Sequence, residues 1–167
     1  MKKLFALLLL CFALHNSNAQ VFYYKVEWTM KDKTDLFTGI CKITIDPQNV
    51  VKGEIVWQYL AVDSSNDELL GHYKGKKGKI GIEFVEGNYF PTTHDMSFEG
   101  TSKEDPEEVI GTDQYTLKLS ANKQVLYGTT ATGGSHQGMF YGNKLNNVDG
   151  EKQYMLLSKQ VKRGTPL

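Results

Sequence analysis

The sequence predicts an all-β protein, an antiparallel meander of about eight to ten strands that forms a closed or nearly closed β-barrel. Three observations support this fold class. Apolar and polar residues alternate with period two, turn residues recur at regular intervals, and a short unit of apolar residue, any residue and glycine appears within several predicted strands. Regularly spaced short strands of this kind are typical of a sandwich or a barrel.

The alternation is strongest in residues Val21–Met30, Leu36–Asp46 and Val51–Ala61. Because successive side chains of a strand point to opposite faces, each segment has one apolar and one polar face. The first apolar face comprises Phe22, Tyr24, Val26, Trp28 and Met30. The second contains Cys41, and the third contains Trp57 and Tyr59.

Weaker alternation predicts the remaining strands, at Leu69–Gly75, Lys79–Val85, Met96–Thr101, Gln114–Ala121, Gln124–Thr130, Met139–Leu145 and Gln153–Val161. Turn-forming residues separate the strands at Asp46–Asn49, Lys76–Gly78, Ala121–Lys123 and Asn146–Gly150. No helical periodicity is recognised after residue 19, and no helix is predicted there.

The recurring glycine unit favours a barrel over a flat sandwich. It occurs as Phe37-Thr38-Gly39, Val51-Lys52-Gly53, Leu69-Leu70-Gly71, Phe98-Glu99-Gly100, Leu126-Tyr127-Gly128 and Phe140-Tyr141-Gly142. Each glycine shares a face with the apolar residue two positions earlier, and a missing side chain there allows the sharp coiling that closure requires. The alternative is that these glycines only mark strand ends and bulges.

The first nineteen residues have the organisation of a cleavable signal peptide. Lys2 and Lys3 precede the apolar run Leu4–Leu14, and the small residues Ser17 and Ala19 follow at the spacing of a cleavage site. The apolar run is shorter than the roughly 20 residues that span a bilayer. We therefore expect residues 1–19 to be removed and residues 20–167 to form a single barrel domain without a transmembrane helix.

Cysteine content and charge constrain the location and the partners. Cleavage would remove Cys11 and leave Cys41 without an internal disulfide partner, which favours a bacterial protein exported to the periplasm or the cell exterior. The chain has 19 lysine and arginine residues and 19 aspartate and glutamate residues. This balance predicts no nucleic-acid partner, because such binding depends on excess positive charge.

The predicted architecture resembles the lipocalin-like and avidin-like up-and-down β-barrels over most of residues 20–167. The lipocalin Gly-x-Trp signature is missing from the first strand, where Val26 and Glu27 precede Trp28. No biotin-binding set can be matched residue by residue. The resemblance therefore implies an architecture and does not imply a function.

No catalytic, cofactor-binding or metal-binding residues are predicted. His72, His94 and His136 lack the close spacing of metal ligands. Cys41 is expected to be an inert core residue because it lies on an apolar face. The polar run Asp63–Glu68 begins like a calcium loop, but it lacks the required glycine, and Lys74 occupies the position of the bidentate glutamate.

Two charge runs lie in predicted loops. The basic run comprises Lys74, Lys76, Lys77 and Lys79, and the acidic run comprises Glu99, Glu104, Asp105, Glu107 and Glu108. Such runs are usually solvated, and the alternative is that they steer a charged partner.

The function predicted from these features is that of an exported, non-enzymatic binding protein that holds a small apolar ligand inside the barrel. The candidate cavity residues are Phe22, Tyr24, Trp28, Trp57 and Tyr59, and the alternative is that they only pack the core. A second hypothesis is an interaction or structural protein whose outer face and loops bind a surface glycan or a protein. A third is a small outer-membrane barrel with its apolar faces toward lipid.

Overall fold

The structure, a computed structural model, describes residues 19–30, 35–62, 71, 73–132 and 136–163. Eight antiparallel strands form a closed barrel in which each strand pairs with the next along the chain and the eighth pairs with the first. The predicted fold class is confirmed. Apart from Ala19, the predicted signal peptide Met1–Ala19 lies outside the described residues.

The elements follow one another in a simple meander. The strands are β1 (Gln20–Met30), β2 (Asp35–Ile45), β3 (Val50–Val62), β4 (Ile80–Phe90), β5 (Asp95–Glu104), β6 (Gln114–Leu119), β7 (Val125–Thr132) and β8 (His136–Leu145). One helix, α1 (Asn147–Arg163), follows β8. None of the helices in the described ranges is both long and apolar enough to cross a membrane.

The two ends of the barrel differ, because successive connections of an antiparallel meander alternate between them. At the end that we call the turn end, short turns join β2 to β3, β4 to β5 and β6 to β7. The turn after β2 forms as predicted: the Asp46 carboxylate accepts hydrogen bonds from the backbone nitrogens of Gln48 and Val50, and Asn49 adopts a φ of 65°. The opposite end, called the loop end, carries the longer connections 63–79 and 105–113.

The predicted apolar faces point into the barrel and pack against one another. Fully or almost fully buried inward side chains include Tyr24, Val26, Cys41, Ile43, Val51, Ile55, Tyr115, Leu117, Leu119, Leu126 and Phe140. Burial of each large apolar side chain stabilises the fold by about 1.5–3 kcal/mol. Cys41 is completely buried, so the prediction that it belongs to the core is confirmed.

Glycines within the strands allow neighbouring strands to approach closely. A Cβ atom at Gly39, in the middle of β2, would collide with the carbonyl oxygen of Val56 on β3. One at Gly128, in the middle of β7, would collide with the carbonyl oxygen of Thr116 on β6. Both glycines lie within strands and not at their ends, which agrees with a role in coiling the sheet.

The prediction of a strand at Gln153–Val161 is wrong, because these residues belong to α1. Tyr154, Leu157 and Val161 have helical spacing and pack on apolar residues that face outward from the barrel. Those outward residues are Tyr23, Ile40, Val56, Ile80 and Ile82. The predicted turn Asn146–Gly150 instead starts the helix, where the Asn146 side chain accepts a hydrogen bond of 2.9 Å from the Asp149 nitrogen.

The strand predicted at Leu69–Gly75 is also wrong in its described part, which is helical at Gly71 and Tyr73 and then turns. Gly75 has a φ of 77°, which favours glycine, and the Lys76 nitrogen bonds to the Tyr73 carbonyl at 2.9 Å. The calcium-like run Asp63–Glu68 lies outside the described residues.

Candidate ligand site at the loop end

The interior of the barrel contains a cavity of about 240 Å³ at the loop end. The strands contribute Trp28, Met30, Phe37, Trp57, Glu83 and Thr132 to its lining, and the connections contribute Tyr73, Val109, Ile110, Gly111 and Asp113. The cavity therefore lies above the packed core, where the inward faces of the strands meet the loops.

Four aromatic side chains form one side of the cavity, which we call the aromatic wall: Trp28, Phe37, Trp57 and Tyr73. Phe37 lies at its centre because β2 pairs with both β1 and β3. Its ring contacts the rings of Trp28, Trp57 and Tyr73 at centroid distances of 5.5, 6.5 and 6.0 Å, each close to edge-to-face. Such edge-to-face contacts add about 0.5–1.5 kcal/mol each beyond area burial, so they help to hold the rings of the wall against one another.

The connection between β5 and β6 supplies aliphatic residues to the opposite side. The Asp105 carboxylate accepts hydrogen bonds of 2.8 Å from the backbone nitrogens of both Val109 and Ile110. Lys103 Nζ lies 3.3 Å from the same carboxylate, which is fully buried. Asp105 therefore shapes the turn that brings Val109 and Ile110 into contact with the cavity.

The two charge runs that the sequence placed in separate loops meet at the rim of this end. Lys79 Nζ forms an ion pair of 3.0 Å with Glu107, and Lys76 Nζ donates a hydrogen bond of 2.9 Å to the Glu108 carbonyl oxygen. Such surface pairs contribute at most about 1 kcal/mol each to the stability of the fold. Their structural effect is to join the connection before β4 to the connection before β6.

Glu83 places a carboxyl group in the cavity lining, although its side chain is only 1% exposed. Tyr115 Oη and Trp57 Nε1 donate hydrogen bonds to Oε2 at 2.5 and 3.3 Å, and the Asp113 backbone nitrogen donates one to Oε1 at 2.8 Å. Gly100 on β5 makes room for the group, because a Cβ atom there would collide with Oε1. The carboxyl is thus held by donors from three different segments.

Burial raises the pKa of Glu83 to about 7. The hydrogen bonds from Tyr115, Asp113 and Trp57 act in the opposite direction, and the nearby Asp113 charge adds to the increase. Burial and the Glu83 charge also raise the pKa of Tyr115 well above its usual value, so Tyr115 remains a neutral donor. Near neutral pH, Glu83 is therefore divided between its protonated and ionised forms.

Asp113 contributes a second carboxylate to the cavity lining. Its Oδ1 atom accepts a hydrogen bond from the Thr132 hydroxyl group. Nearby, Trp28 Nε1 donates a hydrogen bond of 2.6 Å to the buried Thr130 hydroxyl. Among the described residues that line the cavity, two are acidic and none is basic.

The structure separates the five residues predicted to line a cavity. Trp28 and Trp57 line it. Tyr59 stacks on the ring of Tyr73 at 4.6 Å and supports the aromatic wall. Phe22 and Tyr24 lie in the packed core near the turn end, where Tyr24 Oη donates a hydrogen bond to the Lys123 carbonyl oxygen.

Sequence reasoning missed the acidic residues of the site. On β4, Glu83 alternates in phase with Gly81 and Val85, whereas Ile80 and Ile82 occupy the other face. That pattern by itself favours an outward Glu83. The signal that identifies it as an inward residue is the combination of apolar residues on both faces of β4 with an amphipathic helix that covers the outward face.

Of the three histidines singled out in the sequence, His94 is the one whose side chain the structure describes. His94 lies in the turn between β4 and β5, at the turn end, with Nδ1 3.0 Å from Tyr89 Oη. The side chains of His72 and His136 lie outside the described part of the chain. Within the described part, no group of three or more histidine, cysteine, aspartate or glutamate side chains could hold a metal ion.

Fold and cavity together define a small eight-stranded antiparallel barrel with an internal pocket at one end. No protein-family model, no curated protein and no solved structure significantly matches the chain.

Proposed function

We propose that this chain is a non-enzymatic binding protein that holds a small molecule with an apolar body in the cavity at the loop end. The observation that carries the proposal is a cavity of about 240 Å³, lined mainly by aromatic and aliphatic side chains, in a barrel whose remaining interior is packed. Ligand sites are typically concave and apolar, with a few well-placed polar groups.

The size of the cavity limits the ligand. An apolar cavity of about 150 Å³ accommodates benzene, so a cavity of 240 Å³ holds a compact molecule of about ten non-hydrogen atoms. Typical drug-sized ligands need about 300–1,000 Å³. The proposed ligand is therefore a single ring or a short branched chain and not a long lipid.

Tryptophan fluorescence provides a direct test. The chain contains two tryptophans, Trp28 and Trp57, and both line the cavity. We expect p-xylene, a small apolar probe, to change the emission in a saturable manner and to raise the midpoint of urea unfolding, because a ligand that binds only the folded state stabilises it.

A blocking variant identifies where the probe binds. Gly111 lines the cavity, and a Cβ atom there would make ordinary contacts with Thr132 and Asp113, so Gly111→Leu should fill space without removing a contact. The matched control is Thr116→Leu on the exposed face of β6. Binding that survives Gly111→Leu, or no binding by the unmodified protein, would contradict the proposal.

The direction of the side chains does not favour the outer-membrane alternative. Lipid-facing barrels carry apolar residues outside and polar residues inside. In this barrel the larger cluster of buried apolar residues lies inside, whereas charged pairs such as Lys52–Glu86 and Asp95–Lys118 lie on exposed surface. Part of the outer face is also covered by α1.

A specific surface supports the second candidate function, binding of a glycan or a protein. Tyr127 on β7 and Tyr141 on β8 pair across the strands, and both are exposed, as is the nearby Met139. Aromatic side chains are enriched at interaction surfaces. If this surface binds a partner, Tyr127→Ser with Tyr141→Ser should abolish glycan-array or pull-down signals and leave p-xylene binding intact.

Export to the periplasm or the cell exterior is part of the proposal and is supported by the composition of residues 1–19.

A further inference from the structure

We propose that the outward face of α1 docks the protein on the surface of a lipid bilayer that contains anionic lipids. The inference goes beyond the proposed binding function, because it concerns the outside of the barrel and uses no residue of the cavity lining. It follows from the exposed apolar side chains of α1, from the lysines among them and from the way in which the opposite face of the helix is held.

The side chains of α1 fall on two opposite faces. On one face, Tyr154 and Val161 are buried against the barrel. The other face carries five exposed residues, which we call the outer stripe: Val148, Lys152, Met155, Leu156 and Lys159. At about 100° per residue, these five positions fall within an arc of about 100°. Because the barrel fixes the opposite side of the helix, the outer stripe is presented to solvent as one surface.

The outer stripe exposes large apolar side chains to solvent. Val148 is 78% exposed, Leu156 58% and Met155 44%. Met155 and Leu156 lie two turns beyond Val148, about 11 Å along the helix axis. A helix face that meets only water typically carries polar and charged residues. An exposed group of apolar side chains on one face therefore indicates a surface that contacts another partner.

Lysines accompany these apolar residues. Lys152 and Lys159 are exposed, and neither takes part in an ion pair with the described residues. The acidic residues of α1, Asp149 and Glu151, lie near its start, and no acidic residue follows them in residues 152–163. The greater part of the outer stripe is therefore positively charged, which complements anionic headgroups.

The combination of lysine and aliphatic side chains favours a bilayer over a protein partner. Protein interfaces are enriched in aromatic residues and depleted of lysine, whereas the outer stripe contains lysines and no aromatic residue. On a bilayer, the apolar side chains enter the boundary between headgroups and acyl chains, and the lysine stems extend along it with their ammonium groups among the headgroups. A symmetric contact with a second copy of the chain would instead bring like charges together.

Vesicle co-sedimentation tests the inference with residues 20–167, which contain every described strand and helix. Residues 1–19 are left out because their apolar run would bind lipid by itself. The vesicles are pure phosphatidylcholine, or three parts phosphatidylcholine with one part phosphatidylglycerol, at low ionic strength. We expect about tenfold stronger partitioning onto the vesicles that contain phosphatidylglycerol, because each lysine near an anionic surface adds to binding. Added salt should reduce this preference.

Two double variants separate the contributions of charge and apolar contact. Lys152→Gln with Lys159→Gln, the lysine variant, should lose the preference for phosphatidylglycerol. Met155→Ser with Leu156→Ser, the serine variant, should bind the anionic vesicles about tenfold more weakly, because less apolar surface is buried. All four side chains are exposed, so the midpoint of urea unfolding of each variant should match that of the unmodified protein.

The matched control is Lys74→Gln with Lys77→Gln, which removes two exposed lysines from the connection before β4 and should bind like the unmodified protein. Binding that is equal on both kinds of vesicle, absent from both, or lowered as much by the control as by the lysine variant would overturn the inference. Self-association in solution that the serine variant abolishes would assign the outer stripe to a second copy and would also overturn it. Binding of p-xylene tests the cavity separately, so either proposal can fail without the other.

Discussion

Glu83 shows how one side chain can link stability to pH. Its folded-state pKa is about 7, against 4.5 for the same group in water. Between these values the folded protein binds a proton that the unfolded chain has released. The contribution of Glu83 to the free energy of unfolding should therefore be largest below pH 4.5 and should fall as the pH rises to about 7.

Comparison with Glu83→Gln isolates this effect. Between pH 5 and pH 8, the unmodified protein should lose about 2 kcal/mol more unfolding free energy than the variant, because an upward shift of this size disfavours the ionised folded state. Urea unfolding at the two pH values provides the measurement. Glu86→Gln, an exposed carboxyl on the same strand, is the control and should behave like the unmodified protein. Parallel curves for all three proteins would show that Glu83 titrates normally.

Truncation of aromatic residues should distinguish the packed interior from the cavity lining. Phe140 is fully buried against Trp57 and Tyr115, so Phe140→Ala should lower the unfolding free energy by about 3–5 kcal/mol. Trp28 borders the cavity and is only half-buried, so Trp28→Ala should cost less but should sharply reduce p-xylene affinity. Equal losses of stability would indicate that Trp28 is part of the packed core.

The thiol of Cys41 should be unreactive in the folded protein. Burial raises its pKa and closes access to solvent. Mass spectrometry of the Cys41 peptide after treatment with a thiol reagent should show labelling in urea and almost none in native buffer. Rapid native labelling would contradict the inward position of this residue on β2.

At the scale of the element, the apolar outward face of β4 and the apolar face of α1 are buried against each other. Ile80 and Ile82 face outward from the barrel but are buried, because Tyr154 and Val161 of the helix cover them. Period-two alternation predicted most strands correctly, since their two faces differ in polarity. It missed the direction of Glu83 because β4 is buried on both faces. The alternation did not reveal the helix, because α1 carries apolar residues on its exposed face as well. Met155 and Leu156 are exposed, so the apolar residues of α1 do not form one clear stripe in the sequence.

The first turn of α1 offers a test of this packing. Alanine is favoured over glycine inside a helix by about 1 kcal/mol, so Gly150→Ala should stabilise an isolated helix. In the protein it should destabilise, because a Cβ atom at residue 150 would collide with the Tyr23 side chain. Thermal unfolding is the measurement, with the exposed Glu151→Ala as the control. Increased stability of Gly150→Ala would mean that the helix does not contact β1 as described.

For the whole molecule, the sequence predicted the closed meander and the apolar interior, because alternation and glycine spacing are local patterns. It could not locate the cavity. The cavity depends on how Asp105 shapes the connection after β5 and on how that connection meets Lys76 and Lys79, and neither contact follows from local spacing. Trp28 and Trp57 were predicted as lining candidates from their strand faces, whereas Asp113 and Ile110 come from a loop.

Removal of residues 1–19 is a further expected outcome. Protein recovered after export from a bacterial host should have the intact mass of a chain that starts at Gln20, because Ser17 and Ala19 provide the cleavage spacing. An exported protein that retains Met1–Ala19 would exclude this site.

The pairing of β1 with β8 has a consequence for biosynthesis. Tyr23 pairs with Leu145 and Met30 with Gly138, so the barrel closes only when residues more than a hundred positions apart meet. Contacts of such long range form slowly, and until then β1 has an unsatisfied edge. A nascent chain that lacks β8 therefore cannot close the barrel, and the edge of β1 stays unpaired until β8 has been made. We expect this delay to leave time for the export that we propose to take place before the barrel closes.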